Sequence, residues 1–183
     1  MNPEELIHKY YAAQPELEHI LLTHSGQVAS RAMRIAQSNP ALKLDTTFLW
    51  EAAMLHDIGI IQTNAPAIMC FGTEPYIRHG LLGAEMLRAE GLPLHARVAE
   101  RHTGTGLTAQ TIAQQHLPLP LQDYIPETVE EKVICYADKF HSKTRLQVEK
   151  TPEQALRSLE KFGAEGVAVF REWMMLYEFK IQN

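Results

Sequence analysis

Leu55-His56-Asp57-Ile58-Gly59 sets a histidine and an aspartate inside an apolar run and closes it with a glycine. Upstream, Trp50-Glu51-Ala52-Ala53-Met54-Leu55 reads as a buried helix, with Trp50, Ala53, Met54 and Asp57 at helical spacing. The spacing places an imidazole and a carboxylate at the inner end of a hydrophobic element. Each costs ~1–3 kcal/mol to bury unless it finds a partner. Two readings follow: a core histidine satisfied by its neighbouring aspartate, or two ligands of a divalent metal, which this donor pair suits.

Outward from the pair, further histidines and an aspartate recur on or beside helix-forming apolar segments. His24 lies in Leu21-Leu22-Thr23-His24-Ser25, His79 in Tyr76-Ile77-Arg78-His79-Gly80, and His102 in Glu100-Arg101-His102-Thr103-Gly104. Asp138 lies in Cys135-Tyr136-Ala137-Asp138-Lys139. Taken singly, a histidine on an apolar face such as His24 is more often a satisfied core residue than a ligand.

The ordered set His, His-Asp, His, His, Asp resembles the HD-domain metal-dependent phosphohydrolase superfamily in its six-ligand, two-metal form. His56-Asp57-Ile58-Gly59 also matches the HDIG spelling of one subgroup. The resemblance covers roughly residues 20–147. It implies an all-α, single-domain helical bundle of about five to eight helices. It further implies that His24, His56, Asp57 and Asp138 hold one metal and that His79 and His102 hold a second, with Asp57 bridging. His56 and Asp57 are then the catalytic pair, and a metal-bridging hydroxide attacks phosphorus without a side-chain nucleophile. The nitrogen/oxygen donor set lacks thiolates, which argues against Cys-rich structural zinc. It suits two divalent transition metals, Fe or Mn foremost, with Zn, Ni and Co also possible.

The implied substrate is a phosphorylated small molecule, a nucleotide or dinucleotide phosphoester. Arg78, Arg101, Lys139 and Lys143 are the substrate-binding candidates nearest the ligands in sequence. Arg101-His102-Thr103-Gly104-Thr105-Gly106 lacks the Gly-Tyr-Pro element of one cyclic dinucleotide phosphodiesterase group. The HD-class dinucleoside tetraphosphate hydrolases share the ligand order and a His-Thr, but the stretch from Gly104 to Pro126 departs from them. The same ligands also occur in mixed-valent di-iron oxygenases, and a non-catalytic nucleotide-binding module is a further alternative.

Bulk properties agree with one folded unit spanning residues 1–183. The chain has 183 residues, 45% hydrophobic and 21% charged, which is ordinary for a globular domain. A net charge of −5 gives no general nucleic-acid footprint, so no nucleic-acid polymer is expected as partner. Cys70 and Cys135 lack CxxC spacing and read as buried thiols. No signal-peptide pattern and no apolar run of membrane-span length is present, so a cytoplasmic location without a membrane partner is expected.

Along the chain, Leu6, Tyr10 and Tyr11 mark a first helix, and a second runs from about Glu16 through Ala36. Asp45 or Thr46 caps the helix entering the His-Asp pair. Ile60 to Pro75 reads as a loop with at most one short helix. A helix from His79 to Ala89 stops at Gly91 and Pro93, and another covers Leu94 to Arg101 with His95 on the surface. The glycines of Thr103-Gly104-Thr105-Gly106 suit either a phosphate cradle or a tight connector. A short helix follows Thr108, and the next opens at Pro126-Glu127-Thr128 with acids in its first turn. Lys139, His141, Lys143 and Arg145 form a basic cluster, either a solvated face or a phosphate contact. The helical segment 151–183 carries Ala155, Leu159, Phe162, Val167, Phe170, Trp173, Met174 and Tyr177, a core or homodimer surface, with Gly163 and Gly166 marking a break or close packing.

Overall fold

Local capping chemistry sets most helix boundaries in the computed structural model, which describes residues 1–160 and 163–178. Asn2 caps α1 (Pro3–Tyr11), its Oδ1 accepting from Glu4 N–H at 3.1 Å. Pro15 opens α2 (Pro15–Ser38), using the first-turn position where a missing N–H costs nothing. Asp45 caps α3 (Thr46–Leu55), accepting from Phe48 N–H at 3.0 Å. Next come α4 (His79–Ala89), α5 (Pro93–Arg101) and α6 (Ala109–Gln114), the last capped by Thr108. Reciprocal capping boxes start α7 (Val129–Asp138) at Thr128/Glu131 and α8 (Pro152–Leu159) at Thr151/Gln154. Finally, α9 (Ala164–Tyr177) follows Gly163, whose φ of 106° breaks the chain between the last two helices. The described residues thus form the expected helical bundle, with nine α-helices, one above the expected five to eight because the C-terminal segment divides at Gly163.

Four other expectations are corrected. The helix after Pro126 begins at Val129, because Glu131 Oε2 takes the Glu127 and Thr128 N–H groups at 2.6 and 3.3 Å and holds them outside it. The stretch Ile60 to Pro75 is ordered: a 3-10 turn (Ile58–Gln62) leads into β1 (Thr63–Ala65), β2 (Cys70–Phe71) and β3 (Glu74–Pro75). Their order is β2-β1-β3, with β1 antiparallel to β2 and parallel to β3. Strands of two or three residues are too short to show alternation in a sequence. Trp50 lies on the outward flank of α3 and is 37% exposed; Leu49, Ala52 and Ala53 fill its inner face. His95 is buried against Phe48 and Glu51 rather than on the surface.

One contiguous core joins α1–α5 with α7, α8 and α9. Helix α2 packs on α3 and α7, and α4 packs on α5 and on the turn after Asp57. Ala29, Ala32, Ala52, Ala53, Ala96 and Ala99 are fully buried, and such small side chains let helix axes approach closely. Phe170, Trp173 and Tyr177 bury the inner face of α9, Phe170 and Tyr177 packing on Tyr136 of α7. Phe162 and residues 179–183 lie outside the described residues. No described helix is long and apolar enough to cross a membrane.

Candidate metal centre

Helix ends deliver five of the six expected ligands. His56 follows α3, Asp57 the next position, His79 opens α4, His102 follows α5, and Asp138 ends α7; His24 alone projects from mid-helix in α2. A helix end permits this because its last carbonyls are still unpaired. His56 Nδ1 uses one of them, donating to Ala53 O at 2.6 Å, and His102 Nδ1 donates to Ala99 O at 2.7 Å. His79 Nδ1 donates to Tyr76 O at 2.7 Å, and the Tyr76 ring stacks on its imidazole. A carbonyl can only accept, so each Nδ1 carries the hydrogen. In the neutral rings the lone pair therefore sits on Nε2.

The Nε2 atoms converge with the two carboxylates. His24 Nε2 is 3.1 Å from Asp57 Oδ2 and 3.0 Å from Asp138 Oδ1; His56 Nε2 is 2.9 and 3.5 Å from the same two oxygens. On the other side, His79 Nε2 and His102 Nε2 each lie 3.4 Å from Asp57 Oδ1. Two donor groups result: His24, His56, Asp57 and Asp138, and Asp57, His79 and His102. Asp57 belongs to both, one oxygen facing each. Metal–ligand bonds of ~2.1 Å at ~90–110° hold adjacent donors ~3.0–3.4 Å apart, the spacing seen here.

Hydrogen bonding does not account for this spacing. His24 Nε2, His56 Nε2 and both Asp57 oxygens are buried without a hydrogen bond of acceptable angle. They lie within ion-pair distance of one another, close enough for one ion to touch each donor of a group. Burial holds His79 down at about 3 and also lowers His102, so both rings are neutral. Their Nε2 atoms face each other at 3.0 Å with both hydrogens committed to Nδ1. Two lone pairs in such contact repel unless a cation lies between or beside them. The residues fit a metal.

Charge in the site is balanced by lysines. Burial alone would raise the carboxyls of Asp57 and Asp138. His56 and Lys143 outweigh it at Asp57, and Lys139 and the neighbouring histidines at Asp138, so both are held well below the usual carboxylate range. Lys143 Nζ lies 2.5 Å from Asp57 Oδ2, and Lys139 Nζ 2.6 Å from Asp138 Oδ2. Burial likewise opposes the charge on His56, yet Asp57 and Asp138 hold it at about 9.

Of the four basic substrate-binding candidates, Lys139 and Lys143 line a cavity of about 440 Å³ that opens on His24 and Asp138. Arg78 and Arg101 do not line it. Arg78 pairs with Glu74 at 3.0 Å, and Arg101 pairs with Glu127 at 2.7 Å and donates to Ile125 O. Sequence proximity to a ligand placed them beside the site, but their helices direct the guanidinium groups to acidic partners outside it. His141, part of the basic cluster read as a solvated face or a phosphate contact, lines the same cavity, as does Tyr76, which no local signal marks.

Comparison with known proteins adds lineage. A tRNA (cytidine(56)-2'-O)-methyltransferase of Picrophilus torridus is 36% identical over 128 residues, 69% of this chain and 33% of the relative. The protein of the same name from Thermoplasma volcanium is 30% identical over 166 residues, 90% of this chain and 42% of the relative. An uncharacterized protein of Methanocaldococcus jannaschii is 36% identical over 109 residues, 59% of this chain and 57% of the relative. The chain thus spans less than half the length of the two methyltransferases. No solved structure matches. The HD domain family matches residues 21–143, a span that holds all six converging candidate ligands, and the chain belongs to that family.

Proposed function

We propose that the protein is a metal-dependent phosphohydrolase that cleaves a nucleotide or dinucleotide phosphoester. The observation that carries this reading is Asp57, which offers one oxygen to each of two donor groups. His24, His56, Asp57 and Asp138 would hold one divalent metal, and Asp57, His79 and His102 the other. Bound there, two metals supply an activated water and neutralise charge on the phosphoryl oxygens. The chain's own residues supply the remainder. Ala53 O, Tyr76 O and Ala99 O fix three imidazoles with Nε2 inward. Lys139 and Lys143 hold positive charge at the mouth of the site, where a phosphate oxygen can take over contacts now made to Asp138 and Asp57.

The relatives' names favour a second reading, in which the phosphoester is carried on RNA. That stands at odds with the expectation, drawn from the net charge of −5, that no nucleic-acid polymer is a partner.

Metal analysis of anaerobically purified protein beside His79→Ala is the test. About two transition metals per chain, falling to about one in the variant, is the expected result. One or none, unchanged in the variant, would overturn the two-metal reading. Loaded protein is then offered nucleotide phosphoesters and terminally phosphorylated RNA, with phosphate release as readout. Oxygen uptake without phosphate release would assign an oxygenase, and methyl incorporation into tRNA a methyltransferase.

A further inference from the structure

A separate cavity of about 370 Å³ lies between the Gly/Thr loop after His102, α7 and α9. Gly104 and Leu159 border both this cavity and the one at the metal ligands, but none of the six candidate ligands lines it. Its size falls within the ~300–1,000 Å³ typical of small-molecule sites. Leu107, Leu117, Ile125, Val169 and Trp173 give it apolar walls. One of those walls, α9, lies outside the residues 21–143 that the HD family matches.

Two features distinguish it from a packing gap. Gly166 of α9 faces the loop, and a Cβ there would lie 3.1 Å from Thr105 Oγ1, so the missing side chain keeps the space between them open. Thr105 is 9% exposed, lines the cavity, and its hydroxyl makes no hydrogen bond among the described residues. A polar group so deeply placed is normally partnered, and a polar atom of a ligand would supply the partner. The second feature is charge. Glu165 and Glu172 of α9 line the cavity against a single cation, Lys132 of α7, and none of the three makes an ion pair among the described residues. Two free carboxylates against one ammonium disfavour a phosphate and favour a cation.

We propose that this cavity binds a small organic cation, a planar apolar ring bearing an ammonium or amidinium group, at a site distinct from the metal centre. The ring packs on the apolar walls. The cationic group takes the end marked by Glu165 and Glu172, where Gly166 faces Thr105 and the threonine oxygen can accept an N–H. An anion would meet the two carboxylates, and a bare inorganic cation would leave the apolar walls unfilled. The site stands independently of the reaction performed at the metal ligands.

Trp173 is a reporter built into the wall. The chain has two tryptophans, and the other, Trp50, lies outside this cavity, so Trp50→Phe leaves Trp173 as the only emitter. That full-length protein is titrated at pH 7 with 2-phenylethylamine, 2-phenylethanol and phenylacetate, three probes that share a ring and differ in charge. The amine is expected to change Trp173 fluorescence saturably and to bind about fivefold tighter than the alcohol, with phenylacetate weakest. Glu165→Gln/Glu172→Gln should bring the amine down to the alcohol, and Lys132→Gln should tighten the amine about twofold. Gly166→Leu should remove the response to all three probes at unchanged metal content. No saturable response to the amine, equal affinities for amine, alcohol and acid, or undiminished binding in the Gly166→Leu variant would overturn the site.

Discussion

His56 is held at about 9 because Asp57 and Asp138 outweigh the burial that opposes its charge. Near pH 7 the metal-free protein therefore carries a proton on the nitrogen that a metal needs. Loading must expel it, so metal affinity should rise with pH up to about 9, by about tenfold per unit for this residue. Calorimetry in two buffers of different ionisation enthalpy reads the released proton; no release and a flat affinity between pH 7 and 9 would remove His56 from the ligand set. The stability of the metal-free fold runs the other way. A histidine raised above its unfolded value contributes fully below that value, and the contribution is lost as pH rises through about 9. His56, Asp57 and their glycine were legible as a site because two adjacent ionisable groups in an apolar run need a partner. Lys143 was legible only as a nearby cation. Its contact with Asp57 spans 86 positions and could not be read from spacing.

At the level of elements, the HDIG turn is held from both sides. Tyr11 of α1 donates its hydroxyl to Ile58 O at 2.6 Å and accepts from Ile61 N–H at 3.2 Å, fixing the turn that follows Asp57. On the opposite side, a Cβ at Gly59 would lie 2.2 Å from His79 O and 2.3 Å from Gly83 N. Glycine is required there by the close approach of α4, and Gly83 supplies the matching gap. Gly59→Ala should destabilise the fold by about 3 kcal/mol or more, because rigid backbone rather than a flexible side chain must move. It should also displace His79. Urea denaturation and metal content of the variant check both effects; stability within ~0.5 kcal/mol of the parent would mean that α4 is free to shift. Helices α2, α3, α6 and α8 were legible because their starts depend on neighbours in sequence: Pro15, Asp45, Thr108 and Thr151. The small sheet was not, since β1 takes its partners from both sides and no strand exceeds three residues.

For the molecule as a whole, α7 ties the site to the C-terminal helices. Tyr136 packs on Phe170 and Tyr177, and its hydroxyl donates to Glu178, which also pairs with Arg31 of α2. One residue earlier, Cys135 Sγ donates to His102 O and Gly104 O at 3.3 and 3.4 Å, and burial pushes this thiol up to about 12. Cys70 is fully buried within β2 of the small sheet, and the two thiols are free. A thiol reagent should label neither cysteine in the native protein on the timescale that labels both in urea. Labelling of Cys135 alone without denaturant would show that α7 detaches from the loop after His102.

What the sequence by itself determined is the inventory of candidate ligands, the helical character and most helix starts. Donor chemistry, apolar periodicity and capping are all local properties of neighbouring residues. The tertiary structure alone decided which donors share a point, that Asp57 faces two groups, and that Lys139 and Lys143 reach the site while Arg78 and Arg101 turn to acidic partners. It also decided that His141 is buried without a partner. These depend on how α2, α4, α5 and α7 meet, and packing between segments far apart in the chain sets that meeting, which no local pattern encodes.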